Sequence, residues 1–225
     1  MNREILGYGE DSLTLFFLRN RWKEFTEELR AQVKHAPDLN KKSKIFYRLS
    51  LGRGAKGIGE LDAVIVVPGA ALLLESKWDN NLERNISKIR MDAEQWQRDM
   101  VMRELILKES GKGWNSWKRK FEKKYRPRSE ETTLKNNLEA FLRVCKDEKV
   151  KKVFHILLFF QINKRPGINK IEPIRNKPDF DLKPSGKTKF NLKNITRKND
   201  HKKHYTLMAF SLPKMKEMPA GFISL

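Results

Sequence analysis

The spacing of apolar positions changes period several times along the chain, and each change marks an element. From Asp11 to about Gln32, Leu13, Phe16, Phe17, Trp22, Phe25 and Leu29 recur at three- and four-residue intervals, which predicts one long amphipathic helix capped by Asp11 or Ser12. "HAPDLNKKS" breaks it. The runs "KIFYRLSLG", "GELDAVIVV" and "AALLLESKW" have strand length and are separated by glycine-rich turns and by "PGA", so they predict an antiparallel meander. Helical spacing returns from Leu82 to about Lys108, with Ile86, Ile89, Trp96, Met100 and Leu107 set to face the sheet. Two further helices are expected at "WNSWKRKFEKKY" and "LKNNLEAFLRVCKD". "KKVFHILLFFQI" has the unbroken apolar run of a strand covered on both faces, and "HYTLMAFSL" reads as the last strand.

Before that last strand, Asn163 to Lys203 is polar, heavily basic and interrupted by Pro166, Pro173, Pro178 and Pro184; a loop this long is functional or disordered. The expected fold is a single α/β domain of 225 residues, a mixed central sheet flanked by helices, with this stretch as a basic insertion.

Charge narrows the partners. The chain carries 48 Lys and Arg against 28 Asp and Glu, a net charge of +20. Such a surface suits a polyanion or an anionic membrane. A membrane partner calls for a basic amphipathic helix beside an anchor or lipidation signal, and neither motif is present at either end. Nucleic acid is therefore the expected partner. The single cysteine, Cys145, excludes an internal disulfide and a multi-cysteine zinc site and is compatible with a reducing compartment; the apolar run "LTLFFL" is too short for a signal peptide or a membrane span, so a cytoplasmic location is expected.

Against this basic background, acids in the hairpin stand out. A buried charge costs several kcal/mol unless it is paired or metal-bound, yet Asp62 lies on the second strand of the meander and Glu75 and Lys77 on the third. Alternation puts Glu75 and Lys77 on one face and Ser76 on the other, and a short turn at "VVPGAA" lets Asp62 and Glu75 meet. Two carboxylates are the ligand set that magnesium accepts together with water and phosphate oxygens, with the Ser76 carbonyl as a further candidate and manganese as a substitute. Such an ion polarises a scissile phosphate and acidifies an attacking water, while Lys77 orients that water or neutralises developing charge. The competing reading of the three charges is a structural ion pair at strand ends.

"GELDAVIVV" followed by "LLLESKW" resembles the core of the PD-(D/E)XK nuclease superfamily, which includes restriction endonucleases, Holliday junction resolvases and repair nucleases. The family pattern is an Asp on the second strand and (D/E)-x-K on the third, matched here by Asp62, Glu75, Ser76 and Lys77, although Leu61 stands where the family's Pro would be. The resemblance covers about two thirds of the chain and implies a restriction endonuclease-like core and magnesium-dependent cleavage of DNA. It also implies a helical Glu, for which Glu10 is the preferred candidate with Glu24 and Glu28 in reserve. It further implies an active-site Gln, matched by Gln95, while Asp99 holds the place where a Tyr often follows.

Phosphate contacts are expected from Arg53 and Lys56 in the glycine-rich "LGRGAKGIGE", from Lys118, Arg119 and Lys123 on the helix at Trp114 to Tyr125, and from Lys187 and Lys189 in the insertion. Cutting two strands calls for two active sites, so a homodimer is expected. The alternative from a different class is a basic nucleic-acid-binding protein on the same fold without catalysis.

Overall fold

A computed structural model describes residues 6–39, 42–50, 59–79, 88–109, 132–162, 172–173, 179–183, 205–212 and 222–224. In chain order these form β1 (Leu6–Tyr8), α1 (Gly9–Asn20), α2 (Trp22–Gln32), β2 (Lys44–Ser50), β3 (Glu60–Val67), β4 (Ala70–Asp79), β5 (Lys88–Asp92), α3 (Ala93–Glu104), which continues as a π-helical turn to Glu109, α4 (Thr132–Asp147), β6 (Lys152–Ile162), β7 (Glu172–Pro173), β8 (Asp179–Lys183), β9 (Tyr205–Leu212) and β10 (Phe222–Ser224).

The expected α/β class is observed, with five strands carrying a mixed sheet in the order β2-β3-β4-β6-β9 and the two-residue β7 on the β9 edge. β2, β3 and β4 form the antiparallel meander; β4, β6 and β9 run parallel to one another. The unbroken apolar runs of β4 and β6 sit in the middle because both faces there are covered. On one face Ala63, Ile65, Leu72, Leu74, Ile156 and Leu158 pack under Leu13, Phe17, Phe25 and Leu29 of α1 and α2. On the other, Val64, Val66, Ala71 and Leu73 meet Met102 and Ile106 after α3 begins, and Leu138, Phe141 and Cys145 of α4. A smaller cluster joins Ile89, Met91, Trp96, Leu157, Phe159 and Tyr205.

The hairpin tip between β3 and β4 is tied to the α4–β6 connection. The Gly69 N–H donates to the Glu148 carbonyl at 2.7 Å, and the Lys151 and Lys152 N–H groups donate to the Gly69 carbonyl at 2.9 and 3.2 Å. Gly69 adopts φ of 80°, a turn conformation that a side chain would strain.

Three expectations are corrected. The helix expected from Asp11 to Gln32 starts at Gly9 and is two helices, because Arg21 leaves the helical region at φ −128° and ψ 34°. A one-residue break leaves the apolar spacing intact, so Phe17 and Phe25 still meet edge to face at 6.3 Å and periodicity alone could not show the joint. The helix expected from Leu82 is, in its described part, a strand to Asp92. Ile89 and Met91 are buried on strand alternation, and Asp92 then opens α3 through a capping box with Gln95. Leu107, expected to face the sheet, is exposed. Finally, the insertion is not free of structure: β7 pairs with β9 and β8 pairs in parallel with β5, while β9 is followed by β10, which pairs with β1. The helix expected at Trp114 to Tyr125 lies outside the described residues. No helix among the described residues is long and apolar enough to cross a membrane.

Cys145 is buried in α4, and burial pushes its thiol up to about 12. Iodoacetamide at pH 8 is expected to leave the native chain unlabelled and to add a single adduct in guanidinium. Rapid labelling of the native chain would mean that α4 opens readily.

Candidate active site

The site forms where β3 and β4 part. Their pairing runs from Val67–Ala70 to Ala63–Leu74 and stops there, although β2 stays with β3 as far as Glu60 and β4 stays with β6 as far as Asp79. One residue beyond the last pair, Asp62 Oδ2 accepts the Ser76 N–H at 2.6 Å, so a carboxylate takes the place of a ladder carbonyl. The fork is braced from β2. Arg48, at φ 53°, donates through Nε and Nη2 to Glu60 Oε2 at 3.1 and 2.8 Å and reaches Asp11 at 2.9 Å, while the Tyr47 hydroxyl donates to the Asp11 carbonyl at 2.6 Å. These bonds hold the start of α1 against the fork. Burial, with the acids Asp11 and Asp62 nearby, pushes the Tyr47 hydroxyl up to about 12.

Glu75 has no solvent exposure. It is met from α3 by two side chains one turn apart: Gln95 Nε2 donates to Oε2 at 3.1 Å, and Arg98 donates to Oε1 through Nε at 3.1 Å and through Nη2. The capping box sets the amide, since Gln95 Oε1 accepts the Asp92 N–H at 3.0 Å and leaves Nε2 for Glu75. Burial pushes the Glu75 carboxyl well above the usual range, and Asp99 and Asp62 add to this against the pull of Arg98. For Arg98, burial works against the charge, but Glu75 and Asp99 hold the guanidinium protonated above its ordinary value.

Behind Arg98 lies a second buried group. Asp99 Oδ2 accepts from the Tyr205 hydroxyl of β9, and His155 Nδ1 of β6 stands 3.7 Å from the same oxygen. The ring of His155 lies 5.5 Å from Tyr205 and 6.3 Å from Trp96. Burial and the adjacent Asp99 raise the Tyr205 hydroxyl well above its ordinary value.

The fork therefore brings together Asp62, Glu75 and Gln95. Lys77 is half-buried on β4, two residues beyond Glu75. Ser76 turns to the opposite face, where its Oγ accepts from Thr14 of α1 at 2.6 Å, as strand alternation predicts. Glu10 lies in the first turn of α1. The reserves are engaged on α2, Glu24 with Arg21 and Glu28 with Gln32. Arg53, Lys56, Lys118, Arg119, Lys123, Lys187 and Lys189 lie outside the described residues. Sequence reasoning missed Arg98, Tyr205 and His155. Arg98 follows Gln95 by three positions and shares its helix face, a usable signal; Tyr205 and His155 carry no local sign.

The donor set suits a hard divalent cation. Asp62 and Glu75 supply oxygens alone, burial disfavours the Glu75 charge even with Arg98 beside it, and magnesium needs only one or two carboxylates with water and phosphate. Among the described residues no group of three or more His, Cys, Asp or Glu side chains is arranged to hold an ion.

Comparison with protein-family models, with curated proteins and with solved structures returned no match.

Proposed function

We propose that the chain is a metal-dependent DNA endonuclease built on a restriction endonuclease-like core, acting in the cytoplasm as a homodimer of single-domain subunits. The observation that carries this reading is the convergence of Asp62, Glu75 and Gln95 at the fork of β3 and β4. Asp62 and Glu75 would hold magnesium or manganese, with the Ser76 carbonyl as a further donor. When bound, the ion supplies Lewis-acid activation of a phosphate and an acidified water. Asp62 braces Ser76 and so fixes β4, which carries Glu75, to β3; Gln95 orients Glu75, and Lys77 stands on β4 to align the water or offset charge on the phosphate. Glu10, in the first turn of α1, is the proposed helical Glu.

Topology supports DNA as substrate. The connections 51–58, 80–87, 163–171 and 213–221 all leave the sheet at the fork end. Their sequences carry Arg53, Lys56, Lys164, Arg165, Lys170, Lys214 and Lys216, and further basic residues follow in the insertion to Lys203. A phosphate backbone lying across that end would have the acids of the fork beneath it.

Supercoiled plasmid and a synthetic four-way junction, each incubated with magnesium or with EDTA, test the reading. Cleavage is expected with magnesium only, and Asp62→Asn or Lys77→Ala is expected to lower it by about 10²–10³-fold. Site-specific fragments would mark a restriction-type enzyme, and cutting confined to the junction a structure-selective one. A second reading, a non-catalytic nucleic-acid-binding protein, draws on the engagement of both Glu75 oxygens by Gln95 and Arg98. Tight DNA binding by all variants without cleavage under any metal would decide for it.

A further inference from the structure

We infer that Arg98 is the built-in counter-ion of this site, holding Glu75 in the metal-free protein and competing with the divalent cation for it. The inference rests on the proposed nuclease reading and concerns how its metal site loads.

Arg98 is placed as a charge rather than as a surface contact. Its side chain is only 10% exposed and Glu75 is fully buried. Two of its nitrogens address one oxygen of Glu75. The backbone makes room for it: Gly59, entering β3 at φ 89°, lies against the guanidinium, and a Cβ at that position would stand 2.8 Å from Nη1. No L side chain fits there without moving the guanidinium. Asp62 and Asp99 also act on Arg98, so three carboxylates share this one cation.

A divalent ion at Asp62 and Glu75 would do the same electrostatic work at the same oxygens. Two cations at one carboxylate repel, so loading must draw Glu75 away from Arg98. Asp99 Oδ1, buried and without a hydrogen bond among the described residues, is an acceptor open to the released guanidinium. Arg98 thus acts on the reaction through Glu75, as a positioning residue that sets how much metal the site demands.

Removing the Arg98 charge should then tighten metal binding, the reverse of what loss of a supporting residue does. The test is calorimetric titration of the full-length chain with manganese, with thermal unfolding in EDTA and in manganese. Arg98→Met is expected to bind manganese about 10- to 100-fold more tightly than wild type, to melt lower in EDTA, and to regain the loss on adding the ion. Asp62→Asn should abolish binding in both backgrounds, placing the ion at the fork. Should Arg98→Met fail to fold, Arg98→Lys keeps a charge without the planar fork, and a smaller tightening is expected from it. Equal or weaker binding by whichever variant folds, with wild type binding normally, overturns the inference and leaves the nuclease reading intact. Absence of binding by wild type and variants alike removes the nuclease reading, and the inference with it.

Discussion

Glu75→Ala is expected to abolish cleavage and to destabilise the fold by about 3–5 kcal/mol, the range seen when one partner of a buried ion pair is removed. The side chain is fully buried, and its loss leaves Arg98 and Gln95 Nε2 without the acceptor they share. Glu75→Gln should be as inactive but far better folded, since it keeps the shape and gives up only the charge. The pH dependence has a definite sign. Burial raises the folded carboxyl above its unfolded value, so the stability it contributes is complete below the ordinary glutamate range and is lost as pH rises through the folded value. Urea unfolding of wild type and Glu75→Gln between about pH 4 and pH 9 should show wild type losing stability relative to Glu75→Gln as pH rises. Wild type gaining on Glu75→Gln instead would mean that Arg98 overrides burial. Combining Glu75→Gln with Arg98→Met should cost less than the two separate losses together, by about 1 kcal/mol or more.

Tyr205→Phe is expected to cost about 1.5–3 kcal/mol, the worth of a hydrogen bond to a buried charge. Asp99 is fully buried, its Oδ1 makes no hydrogen bond among the described residues, and His155 Nδ1 at 3.7 Å is too distant for one. The Tyr205 hydroxyl is thus the hydrogen-bond donor that the described residues give this carboxylate. Denaturant unfolding at neutral pH measures the loss directly. A change under about 0.5 kcal/mol would mean that water takes the place of the hydroxyl at Asp99.

Legibility in the sequence followed the range of the interactions. β3, β4 and β6 were readable because their runs are apolar on both faces, and the Glu75–Ser76 alternation was readable because a strand has period two; the structure sends Glu75 to α3 and Ser76 to α1. The segment from Lys88 to Asp92 was not, because Ile89, Met91 and Trp96 fit a strand followed by a helix and also one long helix. Gln95 could be singled out only through a family resemblance. The Asp99–Tyr205 bond joins residues 106 positions apart and leaves no local pattern at either end. The Arg98–Glu75 pair leaves only the three-residue spacing of Arg98 from Gln95, since arginine on a helix ordinarily points to water.

The tethered tip of the β3–β4 hairpin gives the sheet one bound edge, like the spine of a book. Tight hairpin turns are ordinarily places where a chain can grow, but a residue added beside Gly69 would unfasten it from Glu148, Lys151 and Lys152 and loosen the spine on which both acidic strands are hung. At the opposite edge four connections leave in parallel, and doubling the length of one costs only about 0.6 kcal/mol in closure entropy. Divergence in what this protein grips can thus accumulate on the open edge, page by page, while the binding that keeps Asp62 opposite Glu75 stays the same length.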